Sequence, residues 1–449
     1  MLKIIFSFLI LISYAWAKDS FIDSVDRMKW GDLDVVWVED DKFPRFTASI
    51  YFQDGAISDP HSGLTQASFD LLTSGTSKDN QKALAEYFDF YGANLKHSVT
   101  HEYSIFSIQA LTKDIKPVVG KVCELFRDAQ YPVRELKSYN SRSKSHLKNL
   151  VTSHASLADR IFRQVSLENT PYAMPVEGSL KEFDKLSTGS LKARLAALNK
   201  TRKVLYLAGP SDVKEIKDVI LKSCPWTNET QIKQLDLRKP TTQSAIYLVP
   251  VPGANQAQIR IGRYMTREEV KGKHDQFGFL AGFLGGGFTS KLVQELRVKR
   301  GLTYSAGAYV SMQRDYGRAG IITFSKSETA AETIAIIRDV FQDIAIGKFE
   351  DKEFKHQQGH QIGSYAFGFE ETSAFLGQIM LYDHQGRNLV ELAKYPETIA
   401  KLTPKELAQS DFEAFPWDRM TIVVVGDASL AKSLSRIRPV KILNFKDFL

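Results

Sequence analysis

The sequence predicts an α+β fold made of two similar halves, each with a mostly antiparallel sheet covered by helices. Each half begins with two strand-like segments, continues through a block of helical periodicity and returns to one strand that ends at a glycine, Gly209 or Gly426. A doubly wound fold would instead place a helix after each strand. Strands followed by grouped helices are typical of the α+β class.

The spacing of matching residues supports the repeat. Phe126 and Asp128 in the first half correspond to Phe341 and Asp343 in the second, and nearly the same spacing separates the two closing glycines. Self-similarity at one spacing indicates two copies of a single structural unit.

The repeat gives predicted boundaries for every part of the mature chain. The first repeat covers residues 18–232, a polar linker with a proline covers 233–244, and the second repeat covers 245–449. The predicted strands of the first repeat are residues 34–39, 47–52, two within 97–111, and 202–208. Its predicted helices are residues 63–72, 80–91, 113–128, 133–154, 156–166 and 190–198. The second repeat begins with predicted strands at 245–251 and 257–264 and a predicted helix at 274–284.

Residues 1–17 resemble a secretory signal peptide, because one lysine and a short apolar core precede small residues at Ala15 and Ala17. No stretch reaches the roughly 18 apolar residues of a membrane span. We therefore expect a periplasmic protein without a membrane span. The two cysteines, Cys123 and Cys224, allow one disulfide, but the sequence does not decide whether they pair.

Composition excludes some function classes. With 43% hydrophobic residues in a chain of 449, the protein can bury large cores. The formal charge of +7 is spread along the chain and does not predict nucleic-acid binding.

One stretch, LGGGFTSKLVQELRVKRGLTY at residues 284–304, carries the main functional prediction. Three successive glycines allow a sharp turn and close approach of another chain. Thr289 or Ser290 is predicted to cap a helix that ends at Gly301. Tyr304 then opens a predicted strand.

Two side chains of this stretch could bind one ligand. Arg297 near the helix end offers a planar guanidinium with five N–H donors, and Tyr304 offers a phenol. The pair suits a carbonyl or carboxylate oxygen. Basic residues in a last helical turn are also common for electrostatic reasons alone.

Together these features resemble the pitrilysin/insulinase family of zinc peptidases, which includes the mitochondrial processing peptidase and paired bacterial periplasmic forms. LGGGFTSKLVQELRVKRGLTYSAGAY is similar to the second-half signature of that family. The resemblance implies one half of a clamshell, in which Arg297 and Tyr304 stabilise an oxyanion at a zinc site in a partner chain. The residues to which it assigns substrate contact are Arg297, Tyr304, Gly285, Gly286 and Gly287.

The first half departs from the family motif G-L-x-H-x-x-E-H-x-x-x-x-G-T, in which two histidines bind zinc and the glutamate is the general base. The corresponding segment reads GLTQASFDLLTSGT. Gln66 and Asp70 replace the histidines, and Phe69 replaces the base. The third ligand, a glutamate in the family, falls near Ser145 or His146, where no acid occurs. We therefore expect no metal in this chain and zinc in the partner.

Other constellations carry less weight. His97 with His101 and His356 with His360 have spacings compatible with metal binding, but neither pair has a third ligand nearby in sequence. They are more simply surface or satisfied polar residues.

The resulting hypothesis is a non-catalytic subunit that binds unfolded peptides and stabilises the oxyanion, with zinc and base supplied by a homologous partner in a heterodimer. The alternative is a non-enzymatic peptide-binding or scaffold protein of the same fold. A third hypothesis is an independent metalloenzyme with a rearranged site that uses His61 or Asp70.

Overall fold

The protein is described from a computed structural model that covers residues 20–229 and 244–449. The predicted signal peptide, residues 1–17, and positions 233–243 of the predicted linker lie outside the described residues.

The first sheet of the described chain has six strands in the order β1-β2-β6-β3-β5-β4. The strands are β1 Val25–Trp30, β2 Leu33–Glu39, β3 Arg45–Phe52, β4 Asn94–Val99, β5 Ser104–Leu111 and β6 Lys203–Gly209. β2 and β6 are parallel, and the other neighbouring strands are antiparallel.

The second sheet repeats this topology, with the order β12-β7-β11-β8-β10-β9. The strands are β7 Ile246–Pro250, β8 Gln256–Thr266, β9 Ala306–Met312, β10 Tyr316–Lys326, β11 Thr421–Gly426 and β12 Val440–Ile442. β7 and β11 are parallel, as are β2 and β6 in the first sheet. The prediction of two α+β halves with mostly antiparallel sheets is confirmed.

The helices of the first half mostly follow the predicted segments. They are α1 Ser20–Asp23, α2 Leu64–Asp70, α3 Gln81–Phe90, α4 Ile115–Asp128, α5 Val133–Asn149, α6 His154–Ser166, α7 Thr188–Lys200 and α8 Lys217–Ser223. The predicted helix at 133–154 is wrong at its end, because a 3-10 turn at Leu150–Thr152 interrupts it. Strand β1 was not predicted.

The second half contains the remaining helices. They are α9 Arg267–Val270, α10 His274–Gly285, α11 Ala330–Ala345, α12 Asp351–Ser364, α13 Thr372–Gln385, α14 Leu389–Lys401, α15 Pro404–Ala414 and α16 Leu430–Leu434. Four of them, α10, α11, α12 and α15, pack around the second sheet or against one another.

The chain folds into two compact units that do not follow the boundaries of the predicted repeats. The first unit contains described residues 20–139, 185–229 and 366–395, and the second contains 140–184, 244–365 and 396–449. Each unit therefore includes one helical segment from the other half of the sequence. Helix α13 packs on β6 in the first unit, and α6 packs on β8 and β11 in the second.

The burial of the central strands explains this exchange. β11 reads TIVVVG and is buried at all six residues, so both faces of the second sheet are covered. Phe162 of α6 reaches Gly262 of β8, where an added Cβ would lie 2.9 Å from the phenyl ring. An added Cβ would also lie 2.2 Å from the carbonyl oxygen of Ala319 in β10, so glycine here makes room for both the neighbouring strand and the helix.

A disulfide joins Cys123 in α4 to Cys224, the residue that follows α8. It closes a loop with a sequence separation of 101 residues within the first unit. The structure thus gives the pairing that the sequence left open.

Candidate functional site

Arg297 lies on a single turn of π-helix, Val293–Val298, where the sequence predicted an α-helix. The backbone amide of Lys299 donates to the carbonyl of Gln294, five residues earlier, at 3.0 Å. Leu296 is fully buried, whereas the adjacent Arg297 is partly exposed. Short π-helical turns occur often at functional sites.

The turn after this helix has the predicted geometry. Gly301 has a φ of +62°, and its N–H donates to the carbonyl of Arg297 at 3.0 Å. The hydroxyl of Thr303 then donates to the carbonyl of Ser305 at 2.9 Å, which fixes the chain just before β9. Tyr304 therefore lies in the turn, two residues before the strand that it was predicted to open.

The guanidinium of Arg297 contacts two aromatic rings. Its central carbon lies 4.5 Å from the centre of the Tyr304 ring and 5.3 Å from that of Phe288. Both distances are within the range of cation–π attraction. The rings are 73% and 77% exposed, respectively, so they hold the cation at the surface of the second unit. Phe288 was not predicted as a site residue, although it directly follows the three glycines.

Arg297 differs from the other two cations at this helix end. Glu295 accepts hydrogen bonds from Lys299 and Arg300, each at 2.6 Å. Burial alone would raise the pKa of Glu295, but these two cations hold that pKa below its ordinary value. Within the described part of the chain, Arg297 has no such carboxylate partner. Its N–H donors are available to a ligand.

The three glycines have different structural roles. A Cβ at Gly285 would lie 2.1 Å from the backbone nitrogen of Ala308, so this glycine lets α10 pack against β9. A Cβ at Gly286 would lie 2.7 Å from Gly282 in the same helix. A Cβ at Gly287 would meet no atom within 4 Å. Of the three, Gly287 is the position that leaves space for another chain.

Ser290 does not cap the helix in the predicted way. Its hydroxyl donates to the carbonyl of Gly287 at 2.6 Å and closes the turn that carries Phe288. The glycines and Ser290 thus set where Phe288, and with it Arg297, is placed.

The degenerate zinc motif forms a hydrogen-bonded cluster in the first unit. Asp70 accepts from the amide nitrogen of Gln66 at 3.0 Å and from the hydroxyl of Tyr139 at 3.0 Å. The Nε2 atom of His97 lies 2.8 Å from the same carboxylate. His97 is therefore part of this cluster, which its predicted pairing with His101 did not reveal.

Phe69 takes the position of the family's general base and lies in an aromatic core. It is 3% exposed and contacts the rings of Phe52, Phe106 and Phe126. Its other neighbour is the imidazole of His97, whose ring centre is 5.8 Å away and nearly parallel. A phenyl ring buried in this way cannot accept a proton from water.

A buried ionic network holds the helix of the degenerate motif in place. Asp59 accepts from the backbone amide and hydroxyl of Thr65 at 2.8 and 2.5 Å, and Arg194 lies 3.0 Å away. Burial raises the pKa of Asp59 to about 6, although Arg194 and Thr65 oppose this. Arg194 also binds Asp54 at 2.7 Å. This network was not predicted, because Arg194 is distant in the chain from Asp54, Asp59 and Thr65.

The histidines whose spacing is compatible with metal binding lie in different settings. His101 is buried in the connection between β4 and β5, whereas His97 lies on β4. His356 lines a cavity of about 400 Å³ in the second unit, next to the ion pair of Lys291 and Glu353. Among residues 20–229 and 244–449, no three His, Cys, Asp or Glu side chains are grouped to hold a metal ion.

The predicted position of the third zinc ligand lies on a helix. Ser145 and His146, where the family's third ligand would fall, lie on α5.

In the part of the chain that the structure describes, no helix is both long and apolar enough to cross a bilayer.

Comparison with known proteins agrees with the motif and the fold. A family described as "Peptidase M16 inactive domain" matches residues 197–359. An uncharacterized zinc protease of Streptomyces coelicolor is 21% identical over 328 residues, which are 69% of this chain and 69% of that protein. A non-peptidase homolog of Helicobacter pylori is 19% identical over 380 residues, 83% of this chain and 87% of its own.

Solved structures show the same fold. The crystal structure of a peptidase M16 inactive domain from Pseudomonas fluorescens has a TM-score of 0.81 and 19% sequence identity. The match covers 90% of this chain and 98% of the other. The family resemblance inferred from the sequence is confirmed.

Proposed function

Because the chain belongs to the M16 peptidase family as an inactive member, we propose that it is the substrate-binding subunit of a two-chain zinc peptidase. A homologous partner supplies zinc, its ligands and the general base. This chain supplies Arg297 and Tyr304, which stabilise the oxyanion formed when the peptide carbonyl is attacked.

The availability of Arg297 is the observation that supports this proposal most directly. Lys299 and Arg300 are held by Glu295, whereas the guanidinium of Arg297 rests over two exposed rings. An arginine needed only to stabilise the helix end would serve equally well in an ion pair. A planar guanidinium without a carboxylate partner is suited to bind an oxygen that becomes negatively charged in the transition state.

The open edge of the second sheet offers a place for the peptide backbone. Among the described strands, β9 pairs only with β10, so its other edge is free to add a strand. Tyr304 lies just before this strand, and Gly285 packs against it. An extended peptide on this edge would bind mainly through its backbone, which suits unfolded substrates of varied sequence.

The disulfide supports a location outside the cytoplasm. Structural disulfides persist in oxidising compartments such as the bacterial periplasm. The bond between Cys123 and Cys224 therefore agrees with secretion through the predicted signal peptide. We propose a periplasmic location for the two-chain peptidase.

Reconstitution tests the proposal. A quenched, unfolded peptide is incubated with this chain, with a secreted homologue from the same cell that retains H-x-x-E-H, and with both. We expect hydrolysis only in the mixture. Association of the two chains without hydrolysis would favour the scaffold alternative, and zinc-dependent hydrolysis by this chain alone would overturn the proposal.

A matched pair of arginine variants tests whether Arg297 is the residue that stabilises the oxyanion. Arg297→Ala should lower kcat of the mixture by about 100-fold to 1,000-fold, the typical loss for one oxyanion donor. Arg300→Ala removes a neighbouring arginine that Glu295 already holds, and should leave kcat nearly unchanged. Equal effects of the two variants would show that general charge, and not an oxyanion contact, matters.

A further inference from the structure

A polar cavity of about 350 Å³ opens in the first unit, away from the residues used above. Strands β1, β2, β3 and β6 form one side, and helix α13 forms the other. Its volume is at the lower end of the roughly 300–1,000 Å³ of small-molecule sites. The cavity therefore suits a ligand with few atoms.

One wall of the cavity carries a fixed pair of opposite charges. The guanidinium of Arg27 donates to both carboxylate oxygens of Asp383, at 3.1 and 2.8 Å. The buried hydroxyl of Tyr206 donates to the same carboxylate at 2.8 Å. Burial and the adjacent Asp383 hold the pKa of Tyr206 well above its ordinary value, so the phenol keeps its proton. Bidentate pairing leaves three of the five N–H donors of Arg27 outside this bond.

A second pair of opposite charges lies in the same cavity. Arg202 is 3.3 Å from Asp34, and these side chains are 55% and 31% exposed. This single long contact uses one of the five donors of the guanidinium. The pair can rearrange around a ligand at little cost, because both groups remain in contact with water.

The phenol of Tyr51 forms part of the cavity wall and contacts a buried histidine. The Nδ1 atom of His384 lies 2.8 Å from the Tyr51 hydroxyl, and Glu102 lies 2.9 Å from Nε2. These contacts hold a polar group, rather than an apolar one, in this part of the wall.

We propose that this cavity binds a small zwitterion, a free amino acid or a dipeptide. The carboxylate of the ligand contacts Arg27 and Arg202, and its ammonium group contacts Asp34. The lining arginines and aspartates balance in charge. A zwitterion therefore matches both signs, whereas a simple anion or cation meets one opposed charge for each attractive one. This site does not depend on the proposed function.

Calorimetric titration of the whole chain at pH 7 tests this inference. The probes are alanine, alanyl-alanine, and alanyl-alanine with either its amino group acetylated or its carboxyl group amidated. We expect saturable binding of at least one uncapped probe, and each cap should weaken the binding of the dipeptide at least about tenfold. The comparison of alanine with the dipeptide decides the ligand length.

Three outcomes would overturn the inference. They are the absence of saturable binding for both uncapped probes up to about 10 mM, equal affinity of capped and uncapped dipeptide, and unchanged binding to cavity variants.

Variants distinguish a binding role from a structural one. Arg202→Gln and Asp34→Asn change half-exposed side chains, and each should weaken binding at least about tenfold while the thermal unfolding curve is retained. Lys29→Gln is the matched control, because Lys29 lies 3.5 Å from Asp34 but is 73% exposed and does not line the cavity. The affinity of the Lys29→Gln variant for the uncapped probe should stay within about twofold of that of the wild type. If the Arg202–Asp34 pair serves only to join β2 to the start of β6, the variants alter unfolding and no titration saturates, which contradicts the proposal.

Discussion

The guanidinium carbon of Arg297 lies 4.5 Å from the centre of the Tyr304 ring, across a turn fixed by Gly301. The two residues thus form one surface element of the second unit. The Tyr304 ring attracts the Arg297 guanidinium, and the Tyr304 hydroxyl remains at the surface.

Two variants of Tyr304 separate the hydroxyl from the ring. Tyr304→Phe keeps the ring beside Arg297, and should lower kcat of the reconstituted pair about 10-fold to 100-fold if the hydroxyl donates to the oxyanion. Tyr304→Ala should lower it further, because the guanidinium also loses its support. Wild-type kcat for Tyr304→Phe would limit the role of Tyr304 to positioning.

The glycine triplet gives a prediction about stability. Gly285→Ala places a Cβ 2.1 Å from the backbone of β9, and should destabilise the fold by about 1–3 kcal/mol. Gly287→Ala is the control, since its Cβ meets open space, and should change stability by no more than about 0.5 kcal/mol. Urea unfolding measures both. Equal urea midpoints for the two variants would mean that β9 and α10 shift to accommodate the added Cβ at position 285 without a loss of stability.

Asp411 gives a prediction about pH. Its side chain is 1% exposed, both carboxyl oxygens lack a hydrogen-bond partner among the described residues, and burial raises its pKa well above 3.8. The folded state therefore favours the neutral acid, and above pH 3.8 the unfolded chain ionises first. Wild-type stability should fall relative to Asp411→Asn as pH rises above this value.

Thermal unfolding between pH 4 and pH 8 measures this difference. The exposed residue Asp212 supplies the control, and Asp212→Asn should give a curve parallel to that of the wild type. A parallel curve for Asp411→Asn would show that the carboxyl group finds a partner in solution.

The disulfide gives a prediction about redox state. Replacing Cys123 and Cys224 with serine should lower the free energy of unfolding by about 2–5 kcal/mol. Protein produced with the bond reduced should show a similar loss, measured by urea unfolding with and without dithiothreitol. Identical midpoints under both conditions would argue against a structural bond, and would remove one support for a periplasmic location.

The fold class, the repeat and most helices and strands could be predicted from the sequence. These features depend on local periodicity and on spacing along the chain, which a sequence displays directly. The family motif likewise identified Arg297 and Tyr304, and showed that Gln66, Phe69 and Asp70 had replaced the zinc ligands and base. Strand β1 was missed, because its sequence VDRMKW does not alternate clearly and only Trp30 of its six residues is buried. Its place in the sheet comes from pairing with β2.

Which side chains meet became clear from the tertiary structure. It brought His97 to Asp70, placed Phe288 beside Arg297, and showed that Glu295 holds the neighbouring cations but not Arg297. It also exchanged a helix between the two halves, because a sheet with two apolar faces needs cover on both. These contacts join residues distant in the chain or on facing surfaces. The free energy that stabilises these contacts comes from packing and electrostatics, which cannot be read from a local pattern of residues.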